Sequence, residues 1–245
     1  MELNEQNFKS ELASVFKKNG LGAYLNSEKS EKFLALTKRM LEENEKYNLT
    51  AITEPSKIIL NHYADCVTLA EKLPKGAKII DIGCGAGFPT LPLAIVREDV
   101  KIFAVDSTAK RIAYVEGTAE LLGLTNVKCA VMRAEDGAKD PAYREAFDFA
   151  TARAVAEMRV LCELALPFVK VGGYMIAMKG KNAEFELSES KKAISLLGAK
   201  INATHMVRLA DDDEEIIHPL IILDKKSKTP TAYPRPFAQI SKKPL

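Results

Sequence analysis

Hydrophobic positions in the first third of the chain recur at helical spacing. Leu3, Phe8, Leu12, Val15 and Phe16 share one amphipathic face, and Phe33, Leu34, Leu36, Met40 and Leu41 share another. A third helical stretch starts near Pro55, a residue suited to a first turn, and runs through Ile58, Ile59, Leu60, Tyr63, Val67 and Leu69. The period changes at Pro74-Lys75-Gly76. From there short β-rich runs alternate with helical ones: AKIIDIG with a helix from about Pro89, and VKIFAVD with a helix from about Thr108. VKCAVMR with a short helix, FDFATARA with a helix to about Val169, and GGYMIAMKG with a helix to about Leu197 follow.

Five such βα units predict a parallel sheet with helices on both faces. The last two runs, INATHMVRL and IIHPLIILD, have only the acidic ADDDEE between them, so they should pair as an antiparallel hairpin with Asp211–Glu215 as its solvated connection. The expected architecture is an α/β, Rossmann-like, seven-stranded sheet of the class I methyltransferase type. Its predicted divisions are an N-terminal helical extension at 1–74, a core at 75–224 and a basic C-terminal tail at 225–245.

Composition narrows this little. Apolar residues at 47% and charged residues at 28% describe a globular chain large enough for a core without staples. No apolar run reaches the roughly 18 residues of a membrane span, and the start MELNEQNFKSELASVF is acidic and amphipathic, unlike a signal peptide. Cys66, Cys84, Cys129 and Cys162 stand singly, without metal-ligand spacing, and read as structural thiols in a reducing cytoplasm; no metal is expected. The net charge is only +2, yet Lys225, Lys226, Lys228, Arg235, Lys242 and Lys243 close the chain without one acidic residue. Such a tail either follows a phosphate backbone or is a solvated, charged terminus.

Asp81-Ile82-Gly83-Cys84-Gly85-Ala86-Gly87 follows a buried strand and opens a helix. Glycines there allow a tight turn and close approach to a ligand. Dinucleotide folds use a similar turn, but two details favour S-adenosyl-L-methionine. The glycines fall at alternate positions, and Asp81 precedes them where a carboxylate can hold a cationic amino group, directly or through water; beside a pyrophosphate it would repel. Strand two ends at Asp106, about twenty residues on, placed to accept ribose hydroxyls. After strand three, Glu135 and Asp136 either approach an adenine or supply N-terminal charge to the next helix.

The end of strand four, Thr151-Ala152-Arg153-Ala154-Val155, has neither the Asn/Asp-Pro-Pro-aromatic motif used on exocyclic amines nor a Pro-Cys pair to supply a thiolate. Arg153 is the strong donor there, at the mouth of the sheet or paired with a carboxylate at a helix end. An acceptor nitrogen that carries no proton, such as guanine N7, needs no base, and alignment with exclusion of water would suffice.

YNLTAIT from Tyr47, HYADC from His62, DIGCGAGFPTLPLAIV from Asp81, DSTAKR from Asp106, RAED from Arg133, FDFATARAVA from Phe147, MKG from Met178 and YPRPFAQISKKPL from Tyr233 occur in this order. With them the chain resembles the RsmG (GidB) family, which methylates N7 of a guanosine in bacterial 16S ribosomal RNA. The likeness covers roughly four-fifths of the chain, from Tyr47 onward. It implies cofactor contacts at Gly83, Phe88, Ala134, Glu135 and Arg153, with Asp106 and the adjoining Ser107 at the ribose, and makes Arg153 the catalytic candidate. Phe88 either covers an apolar part of the ligand or packs in its helix. Lys179, Arg235, Lys242 and Lys243 are the RNA-facing candidates, with Lys179 alternatively facing only water.

His62 and Asp65 line the substrate mouth or, the favoured reading, buttress the glycine loop; Tyr47, Asn48 and Thr50 shape the cleft or cap a turn. The chain departs from the family's usual residues at Cys66, Cys84, Thr90, Ala238 and Ile240. The resemblance implies a cytoplasmic enzyme acting on 16S RNA or the small subunit, and monomer is the default state. The competing readings are a methyltransferase for transfer RNA, protein or a small molecule, an NAD-dependent oxidoreductase, and a non-catalytic RNA-binding assembly factor.

Overall fold

The computed structural model describes residues 3–245; Met1 and Glu2, the first two positions of the predicted extension, lie outside the described residues. Helix α1 (Glu5–Lys18) starts where the Asn4 side chain accepts from the Asn7 N–H at 3.0 Å, and it ends with Lys17 and Lys18 against its own dipole. Helix α2 (Ser27–Tyr47) is capped likewise by Asn26 and stops at Asn48, whose φ of 49° turns the chain left-handed. The stretch from Pro55 is a helix that changes pitch: α3 (Pro55–Ile58), a π-helical Ile59–Ala64, then α4 (Asp65–Val67).

The sheet comprises β1 (Lys78–Ile82), β2 (Lys101–Asp106), β3 (Val127–Val131), β4 (Phe147–Arg153), β5 (Val169–Met178), β6 (Ala199–Ala210) and β7 (Glu215–Lys225). Their order is β3-β2-β1-β4-β5-β7-β6. The first five are parallel, and β7 runs antiparallel to both β5 and β6, as the hydrophobic pattern predicts. Between strands lie α5 (Thr90–Val96), α6 (Ala109–Leu121), α7 (Ala134–Gly137) and α8 (Met158–Ala165). The helix expected to reach Leu197 breaks at Ser190 into α9 (Ala183–Glu189) and α10 (Lys191–Leu196), and α11 (Phe237–Lys242) closes the chain.

Alternation along each strand divides the core between two faces. Ile79, Ile102, Ala104 and Phe149 join the cluster that holds Phe8, Leu12, Phe33 and Tyr63 of the N-terminal helices. Ile80, Ile82, Val105 and Ala150 join the cluster under α8 and α10. The acidic connection between β6 and β7 is less free than expected: Lys18 reaches the Asp211 carbonyl and Asp212, and Asn19 exchanges hydrogen bonds with Ala210.

The tail differs most from expectation. Lys225 is 1% exposed, its ammonium held by the Leu166 carbonyl, the Thr229 hydroxyl and Glu145, and burial pushes its pKa down to about 8. Arg144 donates to the carbonyls of Thr229, Pro230 and Tyr233, while the Thr229 N–H donates to Glu145. Residues 226–245 are therefore a strap fastened across the α8 face, with three of its carbonyls within reach of one guanidinium.

Candidate active site

The parallel strands end together where strand order reverses between β1 and β4, the place where open α/β sheets bind ligands. The turn after β1 has Gly83, Gly85 and Gly87 at φ of 68°, 55° and 84°. A Cβ at Gly83 would lie 2.9 Å from Val155, and one at Gly87 would lie 2.5 Å from Leu91. The alternate glycines thus serve left-handed backbone and close approach together. The turn is tied to β2: Gly83 and Cys84 N–H groups both donate to the Val105 carbonyl, and Gly85 N–H donates to Asp106 at 3.1 Å.

A cleft of about 260 Å³ opens above these ends. Gly83, Asp106, Ser107, Ala134 and Glu135 line it, five of the ten residues proposed for the cofactor. Asp106 is 5% exposed, with Oδ1 accepting from the Thr108 N–H and Oδ2 from Gly85, so its carboxylate is held rigid at the rim. Glu135, 6% exposed, stands in the first turn of α7, which makes the two readings of this residue compatible: helix-end charge and cleft lining.

Asp81, Gly85, Gly87, Phe88 and Arg153 stand behind or beside that lining. Asp81 is fully buried between β2 and β4. One of its oxygens accepts from the Thr90 hydroxyl at 2.7 Å, the other has no partner, and burial pushes its pKa up to about 7. Phe88 packs with its face on the His62 ring, 4.4 Å between centroids, so its place is behind the glycine turn.

Arg153 is paired with a carboxylate at a helix end, the second of its two readings. It donates to Asp65 at 2.9 Å, to the Asn61 carbonyl at 3.0 Å and to His62 Nδ1 at 2.7 Å, and it lies 5.4 Å from the Phe88 ring centre. A guanidinium only donates, so His62 Nδ1 accepts and Nε2–H points to the Thr50 hydroxyl, 3.0 Å away. Burial first, and Arg153 second, push the His62 pKa down to about 4, which keeps the ring neutral. Asp65 also meets the His218 ring. The π-helical turn brings Asn61 and His62 to the same guanidinium as Asp65, a juxtaposition that helical spacing alone understates.

These groups border a second cleft, of about 310 Å³, with Lys179, Gly180 and Ile216 opposite them. It shares Ala154 with the first cleft. Ala154 has φ of 56°, a left-handed conformation costing a residue with a Cβ about 1–2 kcal/mol, paid where the two clefts meet.

Two proposed RNA contacts are occupied. Lys179 donates to Glu186 and the Ala156 carbonyl and its side chain is only 9% exposed. Arg235 grips the fully buried Glu163 with Nε, a terminal nitrogen and its backbone N–H. An unpaired Glu163 in that apolar setting would be costly, which is why the arginine turns inward. Lys242 and Lys243 are exposed. Asn48 ends α2, and Tyr47 stands beside Lys110, whose ammonium is 5.8 Å from its ring centre. Arg133 and Phe237, which lie within quoted motifs but are not singled out by them as site residues, also line the first cleft. Cys66, Cys84 and Cys162 are buried and Cys129 partly so, with all four thiols pushed up by burial.

Sheet order, the glycine turn and the carboxylate at the end of β2 define an S-adenosylmethionine-dependent methyltransferase of class I. Solved structures of that fold resemble the chain: an O-methyltransferase from Thermotoga maritima has a TM-score of 0.51 at 18% identity, covering 78% of this chain and 72% of its own. TYW2 of M. jannaschii in complex with AdoMet has a TM-score of 0.52 at 15% identity, covering 66% and 74%. The family model described as rRNA small subunit methyltransferase G (GidB) matches residues 29–217, and the chain belongs to that family. Ribosomal RNA small subunit methyltransferase G of Clostridium perfringens is 45% identical over 93% of this chain and 95% of its own. The enzyme of the same description from Desulfitobacterium hafniense is 45% identical over 96% and 97%.

The site's chemistry fits the cofactor: a buried carboxylate oxygen lacking a partner at Asp81, a cradle at Gly83 that a Cβ would fill, and a rim carboxylate at Asp106. Among the described residues no group of three or more His, Cys, Asp or Glu is arranged for a metal, and no helix is long and apolar enough to cross a membrane.

Proposed function

We propose that the protein transfers a methyl group to N7 of a guanine in 16S ribosomal RNA of the small subunit, without a metal and in the cytoplasm where subunits are built. The observation that carries this reading is the meeting of two clefts at Ala154: one suited to S-adenosylmethionine, the other walled by Arg153 with His62 and Asp65 already engaged on it. S-adenosylmethionine, when bound, supplies an electrophilic methyl group on a sulfonium. Asp106 and Ser107 would hold the ribose, Ala134 and Glu135 would face the adenine, and the unpartnered Asp81 oxygen would take the amino group directly or through water.

In the second cleft, burial first and Arg153 second hold His62 neutral, and the same guanidinium engages Asp65. Guanine N7 has no proton to lose, so alignment and exclusion of water carry the step. Arg153 is in this reading a positioning residue: it sets the wall on which the acceptor rests. Lys242 and Lys243 remain as exposed cations for the RNA backbone.

The test is methyl transfer from labelled S-adenosylmethionine to unmodified 16S RNA, small subunits and transfer RNA, mapped by N7-methylguanosine-specific strand cleavage. A single cleavage in 16S RNA is the expected result. Methylation without that cleavage would overturn the target atom, and transfer confined to transfer RNA would overturn the acceptor.

A further inference from the structure

One residue of the first cleft comes from far along the chain. The other lining residues lie between Ile82 and Leu164, at the ends of β1 to β4 and on α6, α7 and α8; Phe237 arrives on the strap. Its position is over-determined. Arg144 and Glu145 fasten residues 229–233, Arg235 grips Glu163 two residues before Phe237, and Ile240 is fully buried in a cluster with Val160 and Leu164. Phe237 and Ile240 are three apart on α11, so docking Ile240 on α8 sets the rotation of the helix and brings Phe237 to the cleft.

The ring there is partly bare and faces the cleft. It is 39% exposed, whereas Ile240 is completely covered, and the Arg133 guanidinium lies 5.8 Å from its centre. A partly bare phenyl beside Leu164, Ala134 and Glu135 meets the needs of a planar heteroaromatic base: one apolar face to lie on, and polar groups at its edge.

We propose that the C-terminal strap is part of the cofactor site and that Phe237 is the aromatic wall against which the purine of S-adenosylmethionine lies. This rests on the cofactor assignment above. It also gives the strap a reason to be fastened at so many points, since a loose wall would cost binding energy to order.

Calorimetric titration with S-adenosylhomocysteine, which carries the same purine and needs no turnover, tests it. Phe237→Ala and Phe237→Leu should each weaken binding about tenfold, and Phe237→Tyr should stay within about twofold of the parent, with unliganded melting temperatures unchanged. Parent-like affinity in Phe237→Leu would overturn the proposal, because an apolar plug would then suffice without a ring face. The leucine variant decides the question if the alanine variant folds poorly. An unmutated protein that fails to bind S-adenosylhomocysteine would sink the cofactor assignment itself, and this inference with it.

Discussion

Arg153 shows how one side chain can join the stability of a site to its use. Replacing it by alanine leaves Asp65, 10% exposed at its side chain, with only His218, and frees the His62 lone pair. Arg153→Ala should therefore cost about 2–3 kcal/mol and also lower methyl transfer, measured by denaturant titration alongside turnover. Arg153→Lys should recover more stability than activity, because one ammonium cannot span Asp65, His62 and the Asn61 carbonyl with a planar fork. His62 adds a pH signature. Its folded pKa of about 4 lies below the unfolded value near 6.5, so between these the unfolded chain binds a proton that the folded one refuses. Stability should fall as pH drops through that window, by up to about 3 kcal/mol, and His62→Asn should flatten the slope. Asp81 works in the opposite sense. Its folded pKa is raised to about 7, so it must ionise to receive an ammonium, and S-adenosylhomocysteine affinity should rise with pH from 5.5 to about 7. Asp81→Asn should remove that dependence; a slope that persists in the variant would assign it elsewhere.

At the scale of elements, the strap and the helix with the π turn carry the consequences. Arg235→Ala strands a fully buried Glu163 and should destabilise the fold by about 3 kcal/mol; Arg235→Ala paired with Glu163→Leu should recover most of that loss in thermal unfolding. Removing the strap whole also uncovers Ile240's groove and the Lys225 pocket, so its loss would be read first in folding and only then in RNA binding. The RNA contribution is isolated by Lys242→Gln with Lys243→Gln, both exposed. The slope of log affinity against log salt should shrink by about 1 to 2 units, and an unchanged slope would show that neither lysine meets the phosphates. The tail's run of positive charge was legible in the sequence; its partners were not. Glu163 lies 72 residues before Arg235, and Arg144 lies 85 before Thr229, separations that no local pattern encodes.

Across the whole molecule, the N-terminal helices and the sheet share one core: Phe33 and Tyr63, 4.9 Å apart between centroids, belong to the same cluster as Ile79, Ile102 and Phe149 of the strands. The five parallel strands, the antiparallel last pair and the glycine turn follow from what neighbouring residues can do. A β-rich run beside a helical run crosses over, two strands joined by a short acidic link reverse, and alternate glycines are free to turn left-handed. Family membership was equally legible, because YNLT, the Phe-Pro after the glycines and the Tyr-Pro-Arg ending are local strings. What only the tertiary structure decided is where each charge spends itself. The sequence leaves Arg153 either free or paired and names no partner for Arg235, because their carboxylates, Asp65 and Glu163, belong to other elements. The same holds for Phe237, an aromatic in a basic tail until the strap carries it to the cleft. Periodicity and turn chemistry act over a few residues and can be read along the chain, whereas burial and ion pairing depend on distances that exist only after the chain has closed on itself.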